Sequence, residues 1–239
     1  MALAVKTLYL ILYNGIFAAL WLTLFLRIVA LGPLSSHDKT YDTIGNFALW
    51  IQTAALLEVV HSATGPLKNP PPPPLLILAM ILVSMSKARK PPSLTPLSTH
   101  EGLVRAPLIP TFIQTVAKNL VLWTIVAPFP AVALSPAYTV MLVMWSSGEV
   151  IRYGYFALML SGRRPGFLVW LRYSAFVGIY PVGIAAEMWL VWRAIGEPAS
   201  KWVTGIMYGE LLGLYLPGSY YLYSYMLRQR SKTLRLKNA

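Results

Sequence analysis

The chain has no cysteine in its 239 residues. That excludes disulfides, thiolate nucleophiles and Cys-ligated zinc. Histidine is scarce as well. His37, His61 and His100 are scattered and do not form a His-rich metal site. Charged residues make up only 12%, about half of the roughly 25% usual in soluble domains. What fills the chain is apolar. Hydrophobic residues account for 56%, and the mean hydropathy is +0.58. This composition excludes collagen, disorder and a soluble α/β enzyme. It points to an all-α polytopic membrane protein, read as a single membrane domain over residues 1–239.

The scarce charge is one-sided, with 20 Lys and Arg against 8 Asp and Glu, a net +12. On a soluble protein such a balance would point first to nucleic acid. Here the bases lie between and after apolar runs. They fit topology signals and contact with membrane lipid headgroups or an anionic substrate, and no nucleic-acid partner is expected.

A helix needs about 20 mainly apolar residues to cross a hydrocarbon core of about 30 Å. Six segments meet that length: Leu8–Ile28, Ile44–His61, Leu108–Pro128, Ala137–Leu160, Phe167–Trp192 and Val203–Leu227. They predict a six-transmembrane-helix bundle. Leu75–Met85 is apolar but too short to cross. The first segment does not read as a cleavable signal, because it is long, Asn14 interrupts it and no small-residue cleavage site follows. Six spans put both termini on one side. With the termini cytosolic, 13 bases fall on that side (Lys6, Lys68, Lys87, Arg89, Lys90, Arg105, Arg163, Arg164, Arg228, Arg230, Lys232, Arg235, Lys237). Only 3 fall opposite, Lys39, Arg193 and Lys201. The bias orients both termini toward the cytosol.

Ionisable groups inside these segments are costly in lipid and mark a functional interior or mutual neutralisation between helices. They are Glu58, His61, Lys118, Glu149, Arg152, Arg172, Glu187 and Glu210, with Arg27 near an end. Glu149, Arg152 and Tyr153 are spaced i, i+3, i+4 and share one helix face. The plainest reading is a Glu149–Arg152 ion pair, in which case replacing both with apolar residues is better tolerated than replacing one. Tyr173, Tyr180 and Glu187 recur at seven-residue intervals, nearly one face. Pro181 predicts a kink between the last two, and Gly183 leaves room for another backbone or a ligand chain. A carboxylate and a phenol in one cavity can share acid–base work. A tyrosine beside a kink also serves simply for packing.

The residues also carry a family resemblance. Leu171-Arg172-Tyr173 followed by Tyr180-Pro181-Val182-Gly183-Ile184-Ala185-Ala186-Glu187 resembles the signature of the very-long-chain 3-hydroxyacyl-CoA dehydratases, also called the protein-tyrosine-phosphatase-like A family. The likeness runs along most of the chain. It includes Leu8-Tyr9-Leu10 with Tyr13-Asn14, Leu57-Glu58-Val59-Val60-His61, Trp145-Ser146-Ser147-Gly148-Glu149-Val150-Ile151-Arg152-Tyr153, and Tyr215-Leu216-Pro217-Gly218. The resemblance implies a six-helix enzyme of the endoplasmic reticulum membrane with cytosolic termini. It implies the third step of fatty-acid elongation, loss of water from a 3-hydroxyacyl-CoA to give a trans-2-enoyl-CoA. It places the family's catalytic pair on Tyr180 and Glu187 and supporting residues on Arg172 and Gly183. Glu149, Arg152 and Tyr153 are further supporting candidates. No metal or cofactor is expected. The implied partners are acyl-CoA, membrane lipid and other elongation enzymes. Phosphatase chemistry does not carry over, since a cysteine phosphatase needs a thiolate. Dehydration needs a base for the proton α to the thioester and an acid for the hydroxyl. Glu187 as base with Tyr180 as donor is one assignment, and the reverse is the other. Two rival functions are a non-catalytic scaffold of the same fold and a small transporter. The transporter would show internal repeats, and none is visible.

Residues 66–101 stand apart. They contain 9 of the 19 prolines, and none of the 8 Trp, 14 Tyr and 8 Phe. Gly102-Leu103-Val104-Arg105-Ala106-Pro107 resembles the stretch that follows the second helix directly in the family. The insertion reads either as a retained intron or as a disordered cytosolic Pro-rich loop. A proline run favours extended backbone, structureless loops of this length are uncommon, and closing one costs little more than closing a shorter one. Transcripts sequenced across codons 60–105 decide between them, because a spliced message without the segment identifies an intron.

The charge bias also yields a test. Tags at either terminus are expected to be lost when sealed microsomes are treated with protease, and a protected C-terminal tag would overturn the six-span topology.

Overall fold

The computed structural model describes residues 2–32, 37–58, 108–197 and 201–235. Among these residues the structure is helical, with turns and no strand. The chain divides into two compact units, one made of residues 1–53 and 118–239 and the other of residues 54–117. In the smaller unit the described residues are 54–58, with a turn at 55–56 and helical residues at 57–58, and the first ten residues of the helix Leu108–Leu120. The insertion at 66–101 lies outside the described residues.

The larger unit is built on four long helical stretches. Helix α1 (Ala2–Leu31) is apolar along its length. Its buried residues Tyr13, Phe17, Trp21, Leu24 and Ile28 recur every three or four positions and form one stripe. The stripe packs on α5 (Pro136–Leu160), where Tyr153 meets the rings of Tyr13 and Phe17 at centroid distances of 6.2 and 5.2 Å. Helix α2 is His37–Ala54. It begins about two turns before the apolar segment Ile44–His61, whose last residues, 59–61, lie outside the described residues. Tyr41 on α2 meets Tyr138 edge-on at 5.8 Å.

Helix α3 (Leu108–Leu120) widens into a π-helical stretch, Val121–Val126, followed by the short α4 (Pro130–Ala133). Its geometry is explicit: the Ala127 N–H donates to the Leu122 carbonyl, five residues back, at 2.9 Å. Pro128 supplies the reason. It has no N–H for the carbonyl four residues earlier, so the regular ladder cannot continue. Helix α5 starts with Pro136 in its first turn and ends at Gly162. There a φ of +77° lets Gly162 and Arg163 donate to the carbonyls of Met159 and Leu158. Only glycine takes that conformation without cost.

Helix α6 (Gly166–Ser174) and α7 (Phe176–Ile195) meet at Ala175. Ala175 keeps helical dihedrals, and i→i+4 hydrogen bonds run on either side of it, from the Ala175 N–H to the Leu171 carbonyl and from the Ile179 N–H to the Ala175 carbonyl. Pro181, where the sequence predicts a kink, sits inside α7 between Tyr180 and Glu187. Helix α8 (Lys201–Tyr208), a second π-helical stretch (Gly209–Tyr215) and α9 (Leu216–Arg235) complete the unit. Pro217 follows this second widening as Pro128 follows the first.

Helices α5 and α7 pack side by side. A Cβ built on Gly183 would lie 3.4 Å from Met144 Cβ, and one on Gly148 would lie 3.6 Å from Ile179. Small residues thus let the two helices approach. Two stretches, Thr7–Leu31 and Gly166–Ile195, are long and apolar enough to cross a membrane among the described residues. Helix α5 has the length, but its middle carries Ser146, Ser147, Glu149 and Arg152.

Candidate active site

Helix α5 carries the centre of the site. Glu149 is 6% exposed, and each of its carboxylate oxygens takes a different cation. Lys118 Nζ, from the end of α3, donates to Oε1 at 2.5 Å. Arg152 donates from Nε to Oε2 at 2.7 Å and brings a terminal nitrogen within 2.5 Å of the same oxygen. The Arg152 contact follows from i, i+3 spacing on one helix. The Lys118 contact is tertiary. The expected Glu149–Arg152 pair is therefore present as two-thirds of a triad.

One turn before Glu149, the Trp145 ring lies 5.1 Å beneath the Lys118 ammonium, within cation–π range. The indole Nε1 of Trp145 donates to Glu187 Oε1 at 2.5 Å. The other oxygen of Glu187 accepts from the Tyr215 hydroxyl at 2.8 Å. Glu187 is 7% exposed. Lys118 and Tyr180 both lie within electrostatic reach of it. The Tyr180 ring stacks on Tyr223 of α9 at 5.9 Å.

The structure gathers Glu149, Arg152, Glu187 and Tyr180 around this network. Arg172, on α6, lies 6.0 and 5.9 Å from the ring centroids of Phe156 and Tyr173, with Arg152 and Glu149 in its electrostatic surroundings. Tyr153 does not join Glu149 as the shared face suggested. It turns to α1, while the Arg152 guanidinium sits 4.0 Å above its ring. Of the two readings of Gly183, the close approach of another helix fits: a Cβ there would lie 3.4 Å from Met144 Cβ of α5. Tyr173 faces Tyr155, with ring centroids 6.2 Å apart and the planes nearly perpendicular.

Sequence reasoning assigned no role to Lys118, Trp145 or Tyr215. Trp145 had a local signal: it precedes Glu149 by four residues and so shares its face. Tyr215 had its place in the Tyr215-Leu216-Pro217-Gly218 stretch that carries the family resemblance. Chemically, a buried carboxylate with both oxygens held by neutral donors keeps further lone pairs for a proton. A carboxylate and a phenol within reach of one group can in principle share acid–base work.

The profile of the protein tyrosine phosphatase-like proteins, PTPLA, matches residues 96–236. The chain belongs to the PTPLA family. A fission yeast (Schizosaccharomyces pombe) relative, named as a probable very-long-chain (3R)-3-hydroxyacyl-CoA dehydratase, is 31% identical over 235 residues, covering 97% of this chain and 95% of its own. The rice (Oryza sativa subsp. japonica) PTPLA relative PASTICCINO 2A, named as a very-long-chain (3R)-3-hydroxyacyl-CoA dehydratase, is 28% identical over 97% of this chain and 95% of its own. The mouse (Mus musculus) dehydratase 2 is 23% identical over 96% and 82%. No solved structure matches the chain.

The triad carries one anion and two cations, which ranks its variants. Glu149→Gln removes the one carboxylate that Lys118 and Arg152 share and should cost about 3–5 kcal/mol, the usual cost of breaking a buried pair. Lys118→Met leaves a neutral Glu149–Arg152 pair and should cost clearly less. Replacing Glu149 and Arg152 together leaves Lys118 alone, so it should not restore protein level. Accumulation and thermal melting in membranes check this order, and full recovery in the Glu149–Arg152 double variant would contradict it.

Proposed function

We propose that this PTPLA protein removes water from very-long-chain 3-hydroxyacyl-CoA to give trans-2-enoyl-CoA, the third step of fatty-acid elongation. The observation that carries the reading is Glu187, a buried carboxylate held at both oxygens with Tyr180 in its field, in a chain whose relatives of nearly equal length are named as dehydratases of this kind.

In the mechanism we favour, Glu187 takes the proton from the carbon α to the thioester. The electron pair of that C–H bond forms the double bond, the C–O bond at carbon 3 breaks, and Tyr180 donates a proton so that the hydroxyl leaves as water. Both oxygens of Glu187 are held by neutral donors, Trp145 and Tyr215. Arg152 and Arg172 supply positive potential next to the site. The acyl chain lies between the helices. The two stretches apolar enough to cross a membrane support a membrane location. The charge bias supports cytosolic termini for a six-span chain, and the family resemblance supports the endoplasmic reticulum, with acyl-CoA and the other elongation enzymes as partners.

Tyr180→Phe removes a hydroxyl and Glu187→Gln one proton site, with little change in volume. Each is expected to lower turnover by about 10²–10⁴-fold at matched protein level, the usual worth of a positioned acid or base. The double variant should be little worse than the worse single one. Tyr173→Phe should keep most activity, because its ring packs edge-on against Tyr155. Enoyl-CoA formation in membranes is the measurement. Wild-type turnover in either single variant removes that residue from the mechanism.

A further inference from the structure

We infer that Trp145 and Tyr215 are the positioning residues of Glu187, and that the second π-helical turn exists to deliver Tyr215 to it. The inference rests on the dehydratase reading. The two donors come from separate elements, Trp145 from α5 and Tyr215 from the end of Gly209–Tyr215, and each takes one oxygen of the same carboxylate. A carboxyl group turns freely about its terminal bond unless both oxygens are held. Held at both, its plane and its remaining lone pairs have one direction. That is what abstraction from a carbon acid requires, because carbon makes no strong hydrogen bond to orient the base itself.

Both donors are neutral. They order the carboxylate without adding a cation that would compete for the proton. Lys118 stands over the Trp145 ring, at 5.1 Å, and is itself held by Glu149. The triad thereby fixes Trp145, and Trp145 fixes Glu187. On the other side, a π turn carries one residue more than an α turn and so rotates the next turn of helix about the axis. Tyr215 closes the π-helical stretch and is 4% exposed.

The test compares Tyr215→Phe and Trp145→Phe with wild type in membranes. Tyr138→Phe is the control, a buried tyrosine on the same α5 that faces Tyr41 of α2. Wild-type protein is assayed first on a 3-hydroxyacyl-CoA. If it forms no enoyl-CoA, the dehydratase reading fails. With an active wild type, Tyr215→Phe and Trp145→Phe should each lower kcat roughly 10–100-fold while KM stays within about threefold, as expected when an interaction serves only the transition state. Tyr138→Phe should leave both constants unchanged. The Trp145→Phe, Tyr215→Phe double variant should approach the kcat of Glu187→Gln and not fall below it, since both donors act through that one group. Tyr215→Phe removes a single hydroxyl and carries the test if Trp145→Phe does not accumulate. Wild-type kcat in Tyr215→Phe overturns the inference alone. So does a loss seen only in KM, or a double variant far below Glu187→Gln.

Discussion

Three ionised side chains meet in the apolar interior of the larger unit, and only one is an anion. Glu149 holds Lys118 on one oxygen and Arg152 on the other. In a low-dielectric interior an uncompensated charge costs more than most packing contacts return. The positions of the end of α3 and the middle of α5 are therefore tied to one carboxylate. Remove it and both cations lose the carboxylate they share. Keep it and Lys118 stays over Trp145, which in turn stays on Glu187.

The Glu187 end of this network has a different character. Glu149 meets cations at both oxygens, whereas Glu187 is contacted by an indole N–H and a phenol. Two buried carboxylates thus have opposite surroundings. Under the proposed dehydratase function, the first serves structure and the second is the base aimed at carbon.

Backbone irregularity serves the same end. Two prolines follow the two π-helical stretches, one after Lys118 on the way out of α3 and one just after Tyr215. The glycines at 148 and 183 bring α5 and α7 close enough for Trp145 to reach across to Glu187. At Gly183 the close neighbour is Met144 of α5. The small residue acts on the site through helix spacing.

Composition alone determined that the chain is helical. In an apolar solvent a backbone must satisfy its own hydrogen bonds, and the helix does so within each segment. Local spacing determined the Glu149–Arg152 contact, because residues three apart on a helix are neighbours whatever the rest of the fold does. The family motif singled out Tyr180 and Glu187. What periodicity could not decide is the rotation of each helix about its axis and the turn it presents to its neighbours. Lys118 meets Glu149 across 31 residues, Trp145 meets Glu187 across 42, and Tyr215 meets Glu187 across 28. Tyr153 shows the same limit from the other side. It shares a sequence face with Glu149 but packs on α1, because a face about 100° wide can touch two neighbours at once. Those pairings depend on where π turns reset the register and where small residues let helices close, and only the tertiary structure decided them.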